Sequence, residues 1–224
     1  DVSARINTTD SRVVNDEIDR IYLGLYPSAP TGQLDRAFGD LMRLYQGEFP
    51  GYRPCDTAYH DVQHALEVTL AMARLIDGYE RARSGTEAFG DSLFRLGVIA
   101  ALFHDMGYVR ELDDHTHKNG AEYALTHVSR GSRFLKDYLP KIGMAEMADI
   151  AAELIHFTGF ETSVGKINIP SPIYRLLGSM LGSADIIAQM ADRSYLDKCR
   201  DRLYPEFVAG GLATERTPEG VEQV

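Results

Sequence analysis

Tyr59-His60-Asp61-Val62-Gln63-His64 sets two histidines four residues apart, a spacing that puts both on one face of a helix. Imidazoles on an otherwise apolar helix are suited to holding a metal and moving a proton. Further on, His104 and Asp105 follow a strongly apolar stretch. Asp185 lies inside Ser183-Ala184-Asp185-Ile186-Ile187, where a carboxylate is costly unless it is paired or bound to a metal. Together His64, His104, Asp105 and Asp185 offer two imidazoles and two carboxylates. That mixture suits zinc, iron, manganese or, with more water, magnesium. The residues predict a metal-dependent hydrolase built on helices. His115 and His127 carry no motif and are expected to be exposed and unliganded.

Helices must position these groups. Val14, Ile18, Ile21 and Leu25 form one helical stripe, ended by Pro27 and Pro30, and Leu34, Phe38, Leu41 and Tyr45 form a second. After a loop from Gly47 to Pro54, Asp56 or Thr57 is expected to cap a helix burying Val62, Leu66, Ala73 and Ile76. Thr86 opens an apolar helix through Phe89, Leu96 and Phe103 that delivers His104-Asp105 before Gly107 breaks it. A charged loop then leads to a helix from about Asn119 to Tyr138 and another over 144–156. Val164, Ile167 and Ile169 read as a short hairpin. Ser171-Pro172 starts the helix that presents Asp185, and a last helix bears Tyr195, Leu196, Cys199, Leu203 and Phe207. Met180 and Met190 are expected in the core. The fold class is all-α. The tail after Gly210 is expected to be mobile.

Composition limits the partners. The 224 residues are 44% hydrophobic and 25% charged, as in an ordinary globular chain. Lysine and arginine number 23 against 33 acidic residues, so 23 − 33 gives −10, with no basic run. Duplex nucleic acid and an anionic membrane surface are therefore poor partners. A small anionic substrate fits, because bound divalent metal reverses the local charge. Cys55 and Cys199 suggest neither a disulfide framework nor a cysteine metal site. No apolar run is long enough to span a bilayer. The N-terminus lacks a methionine and a signal-peptide core, so a trimmed or partial cytoplasmic chain is expected. The oligomeric state is open.

The order His…His-Asp…Asp resembles the HD-domain superfamily of metal-dependent phosphohydrolases. The resemblance implies an HD-domain helical bundle over 56–207, preceded by a helical extension over 1–55 that packs on it and followed by a tail, 208–224. Residues 59–68 look like the motif of cyclic-nucleotide phosphodiesterases, with Asp61 where those enzymes carry asparagine. Carried over, His60 is the general acid and His64 a metal ligand. His117-Lys118-Asn119-Gly120-Ala121 and His156-Phe157-Thr158-Gly159 resemble bacterial binuclear HD hydrolases. That likeness implies two divalent metal ions, with His64, His104, Asp105 and Asp185 at one and Asp105, His117 and His156 at the other. Asp105 would bridge them and position both, and Thr158 would touch a phosphate oxygen. The expected substrate is a phosphodiester or phosphoester of a nucleotide-like small molecule.

The chain departs from the family in two places. Many of its members follow His-Asp-x-Gly with a phosphate-binding lysine, where this chain has Tyr108, and Arg110 or Lys118 are the substitutes on offer. A counterpart of the glutamine and aromatic clamp that holds a purine is missing. Two other readings share the ligand set: a di-iron oxygenase on the same fold, and a metal-binding regulatory module without catalysis.

Overall fold

The computed structural model describes residues 5–214, so the first four residues of the expected arm and most of the expected tail lie outside the described residues. Asp10 starts α1 (Ser11–Leu25) by accepting the Arg12 N–H, and Val14, Ile18 and Ile21 are buried as their spacing predicts. α2 (Gly32–Gln46) buries Leu34, Phe38 and Leu41. The chain continues through α3 (Val62–Ala82), α4 (Gly90–Phe103), α5 (His127–Tyr138), α6 (Ala148–Leu154), α7 (Pro172–Met190), α8 (Tyr195–Lys198) and α9 (Tyr204–Ala209). Among the described residues there is no strand, only an isolated bridge between Tyr52 and Glu111. The fold is all-α.

α3 lies against α1, α4 and α7. Leu96 and every residue from Val98 to Phe103 of α4 are fully buried, as expected of a helix apolar on all sides. Val14, Leu34 and Leu41 share one buried cluster with Leu66, Ile99 and Leu177, so α1 and α2 contribute to the core that carries α3, α4 and α7.

Several expectations give way to tertiary contacts. Asp61, not Asp56 or Thr57, caps α3, accepting the His64 N–H at 2.9 Å. Asp56 is engaged elsewhere, by the Gly120 N–H at 2.7 Å and by Arg110 at 2.6 Å. That grip on Gly120 helps divide the expected 119–138 helix into a 3-10 turn, Gly120–Tyr123, and α5. α4 begins at Gly90 rather than Thr86, because the Glu80 carboxylate takes the Phe89 N–H at 2.6 Å. The expected hairpin is a 3-10 turn, Val164–Lys166. Arg175, instead of a partner strand, satisfies the carbonyls of Val164 and Ile167. Met190 and Leu196 are exposed, not core. The last helix is interrupted by a π turn, Cys199–Leu203, which turns α9 back towards the start of α3.

Candidate metal centre

Asp105 is the hub. His64 reaches it from the first turn of α3, His104 from the end of α4, and Asp185 faces His64 from α7. His64 Nε2 lies 3.3 Å from Asp105 Oδ2 and 3.3 Å from Asp185 Oδ1, and His104 Nε2 lies 3.0 Å from Asp105 Oδ2. All four side chains are buried. The donor atoms of His64, His104 and Asp105 fall within 4.8 Å of one another, a grouping that could hold a metal ion. Gly182 lets α7 pack closely on the turn that carries Phe157, since a Cβ there would lie 2.5 Å from the Phe157 carbonyl oxygen.

The arrangement fits a cation on its own chemistry. His104 Nδ1 donates to the Ala101 carbonyl at 2.8 Å, which leaves the Nε2 lone pair facing Asp105 in the neutral ring. His104 Nε2 and Asp105 Oδ2 sit close, yet each is buried without a hydrogen bond of good geometry. Two lone pairs aimed at one point are repulsive until a positive charge lies between them.

The other site residues divide. His60 precedes α3 rather than sharing its face with His64, because the Asp61 cap starts the helix at Val62. Its ring still lies 5.9 Å from the His64 ring and lines the same cavity of about 290 Å³, together with His64, Asp105 and Asp185. His117 turns to Asp114, 3.1 Å from its Nδ1. His156 lies in the 3-10 turn Ile155–Phe157 that follows α6, with its Nδ1 buried and without a hydrogen-bond partner. Thr158 lines the cavity, but its hydroxyl donates to the Ile155 carbonyl at 2.8 Å.

Two residues were missed in the sequence. His127, expected to be exposed, is buried on the cavity wall, with Nε2 3.8 Å from Asp105 Oδ1. Its Nδ1 donates to the Ala124 carbonyl, and burial pushes its pKa down, so a neutral ring turns its Nε2 lone pair to Asp105. Its signal was the spacing His127, Gly131, Phe134, Tyr138, which is the buried stripe of α5. Glu206 is the second. Its Oε2 lies 2.5 Å from His60 Nδ1, and its Oε1 accepts the Tyr59 N–H at 2.6 Å. No motif marks it. Tyr108 lies flat between the rings of His60 and His127, at 4.1 Å and 4.3 Å.

The electrostatics favour a proton or a metal among these donors. Burial works against a charge on His64, but the Asp105 and Asp185 carboxylates, each 3.3 Å from its Nε2, outweigh it and take its pKa up to about 10. Burial likewise opposes charge on Asp105, yet the His104 and His64 imidazoles beside it, when protonated, hold its carboxyl well below the usual range. With a folded pKa about 10 and an unfolded value near 6.5, the His64 proton stabilises the metal-free fold fully below about pH 6.5. That contribution is lost as pH rises through about 10. A metal ion must displace the proton. Metal affinity is therefore expected to rise between pH 7 and 10 with proton release, measurable by calorimetry in buffers of different ionisation enthalpy. A flat affinity over that range contradicts the assignment.

No family model matches the chain, and the comparisons with curated proteins and with solved structures give no match. Among the described residues, no helix is long and apolar enough to cross a membrane.

Proposed function

We propose that the chain is a metal-dependent phosphohydrolase of the HD-domain type, cleaving a phosphodiester or phosphoester of a small nucleotide-like molecule. The observation that carries this reading is the buried grouping of His64, His104 and Asp105, with Asp185 against His64, beside a cavity that His60 also lines. These four residues hold one divalent ion. Asp105 offers its other oxygen towards His127, and this pair supplies donors for a second ion. His156 does not line the cavity, and its Nδ1 is buried without a hydrogen-bond partner. His117 is already held by Asp114. Iron, manganese, zinc and magnesium all suit such a set. A divalent metal bound there supplies Lewis acidity, polarising a phosphoryl oxygen and acidifying water.

The chain's own groups do the rest. Glu206 holds His60 by Nδ1, so only Nε2 is left to exchange a proton with the cavity. His60 gives that proton to the departing oxygen. Tyr108 keeps the His60 ring in plane by stacking on it.

The test is metal analysis of the purified protein, followed by assays on phosphomonoesters, phosphodiesters and nucleotides with and without oxygen. Metal-dependent, oxygen-indifferent release of phosphate or alcohol is expected. Oxygen-dependent turnover without hydrolysis sinks the reading. His60→Ala should keep its metal and lose roughly 10²–10⁴-fold in rate on alkyl leaving groups, with a small effect on nitrophenyl esters. Full activity on an alkyl diester removes His60 from the mechanism.

A further inference from the structure

The cavity beside Asp105 is lined by two unlike groups of side chains. His60, His64, Asp105, His127 and Asp185 are polar, and Phe157, Ile186, Leu203, Phe207 and Leu212 are apolar. The apolar side runs out to the surface, where Phe160 on the cavity wall is 81% exposed and Ile186 52%. Large exposed apolar side chains at the mouth of a polar site mark where an apolar ligand surface lies.

Among the described residues, no lysine or arginine lines this cavity. Three arginines near it are committed. Arg175 lies over the Phe157 ring but donates to the carbonyls of Val164 and Ile167. Arg110 holds Asp56 and the His117 carbonyl, and Arg130 holds the carbonyls of Gly107 and Val109. Lys198 and Arg202 line an adjoining crevice that shares His64 and Gln189 with the cavity. Its volume of about 10 Å³ leaves room for about one water and no phosphate, and Lys198 is paired with Asp192. At the position after Gly107 stands Tyr108, packed between two imidazoles.

Each further phosphate of a polyphosphate brings a charge that needs a cation or strong donors once it leaves water. This cavity offers such a phosphate carboxylates and aromatic rings. We infer that the site takes a phosphoester with one phosphoryl group on an apolar body, an alkyl or aryl ester, and rejects polyphosphates. The inference rests on the phosphohydrolase reading and narrows its substrate class. The phosphoryl group sits against Asp105, and the ester body packs on Phe157, Ile186 and Phe160.

The test uses p-nitrophenyl alkyl phosphodiesters, which share one leaving group and one charge while the alkyl arm grows from methyl to hexyl. They are compared with a nucleoside triphosphate on protein loaded in turn with manganese, zinc and ferrous iron. kcat/KM should rise at least about tenfold from methyl to hexyl, since the added methylenes leave water. The surface substitutions Phe160→Ser and Ile186→Ser together should bring that ratio below about threefold. Hydrolysis with a flat series, or with the triphosphate preferred, overturns the inference and leaves the phosphohydrolase reading standing. If nothing is hydrolysed, that reading fails, and calorimetric binding of hexylphosphonate against methylphosphonate decides the inference. Equal affinities overturn it; tighter hexyl binding that the double substitution removes supports an apolar-anion site.

Discussion

Asp105→Ala is expected to leave the protein folded, unable to retain stoichiometric metal, and about 10³-fold or more slower on any phosphoester it hydrolyses. Asp105 is the residue that the others address. Oδ2 faces His64 and His104, and Oδ1 faces His127. Its loss removes a donor from the proposed metal site and the carboxylate that faces His127. It also removes the negative charge that lets His64 stay protonated in the metal-free protein, so the His64 pKa should fall from about 10. The fold tolerates this, because an imidazole left without its partner can give up its proton instead of staying charged in the interior. Metal content by mass spectrometry and the His64 titration by NMR read the two effects separately. A variant with wild-type metal content and rate would show that Asp105 is an ordinary buried acid.

Gly107→Ala should be the most damaging single-methyl addition near the site. A Cβ there would fall 1.8 Å from the His127 carbonyl oxygen and 2.5 Å from its carbon. Both are backbone atoms, so no rotamer change relieves the clash, and the start of α5 must move away from the turn after Asp105. The expected cost is about 3 kcal/mol or more, which lowers Tm by roughly 6–12 °C in a chain of this length. Because His127 moves with the backbone it belongs to, activity should also fall at temperatures where the variant is folded. Gly78→Ala is the control. It lies within α3 with nothing within 4 Å of the added carbon, so helix propensity should make it neutral or slightly stabilising. Wild-type melting of Gly107→Ala would refute the close approach.

Much of this was legible along the chain because it depends on local periodicity. The stripes of α1 and α2, the apolar α4 and the Pro172 start of α7 follow from residue spacing and backbone chemistry. The order of His64, His104, Asp105 and Asp185 was readable for a related reason. Polar groups stand out where each helix is otherwise apolar, and burying them uncompensated is costly.

What the chain order did not reveal depends on partners distant in sequence. Asp56 looked like a cap but serves Gly120 and Arg110, while Asp61 caps α3 and moves His60 off the helix. His127 carried a stripe signal, yet nothing nearby told that its face meets Asp105, which is decided by the contact at Gly107. Glu206 lies 146 residues from His60. The sequence alone determined the all-α class and most helical stripes and pointed to His64, His104, Asp105 and Asp185, because these are set by patterns within a few turns. The tertiary structure alone decided which imidazole faces Asp105's second oxygen and which carboxylate holds His60, because those pairings are made by packing between elements, where spacing along one chain carries no information.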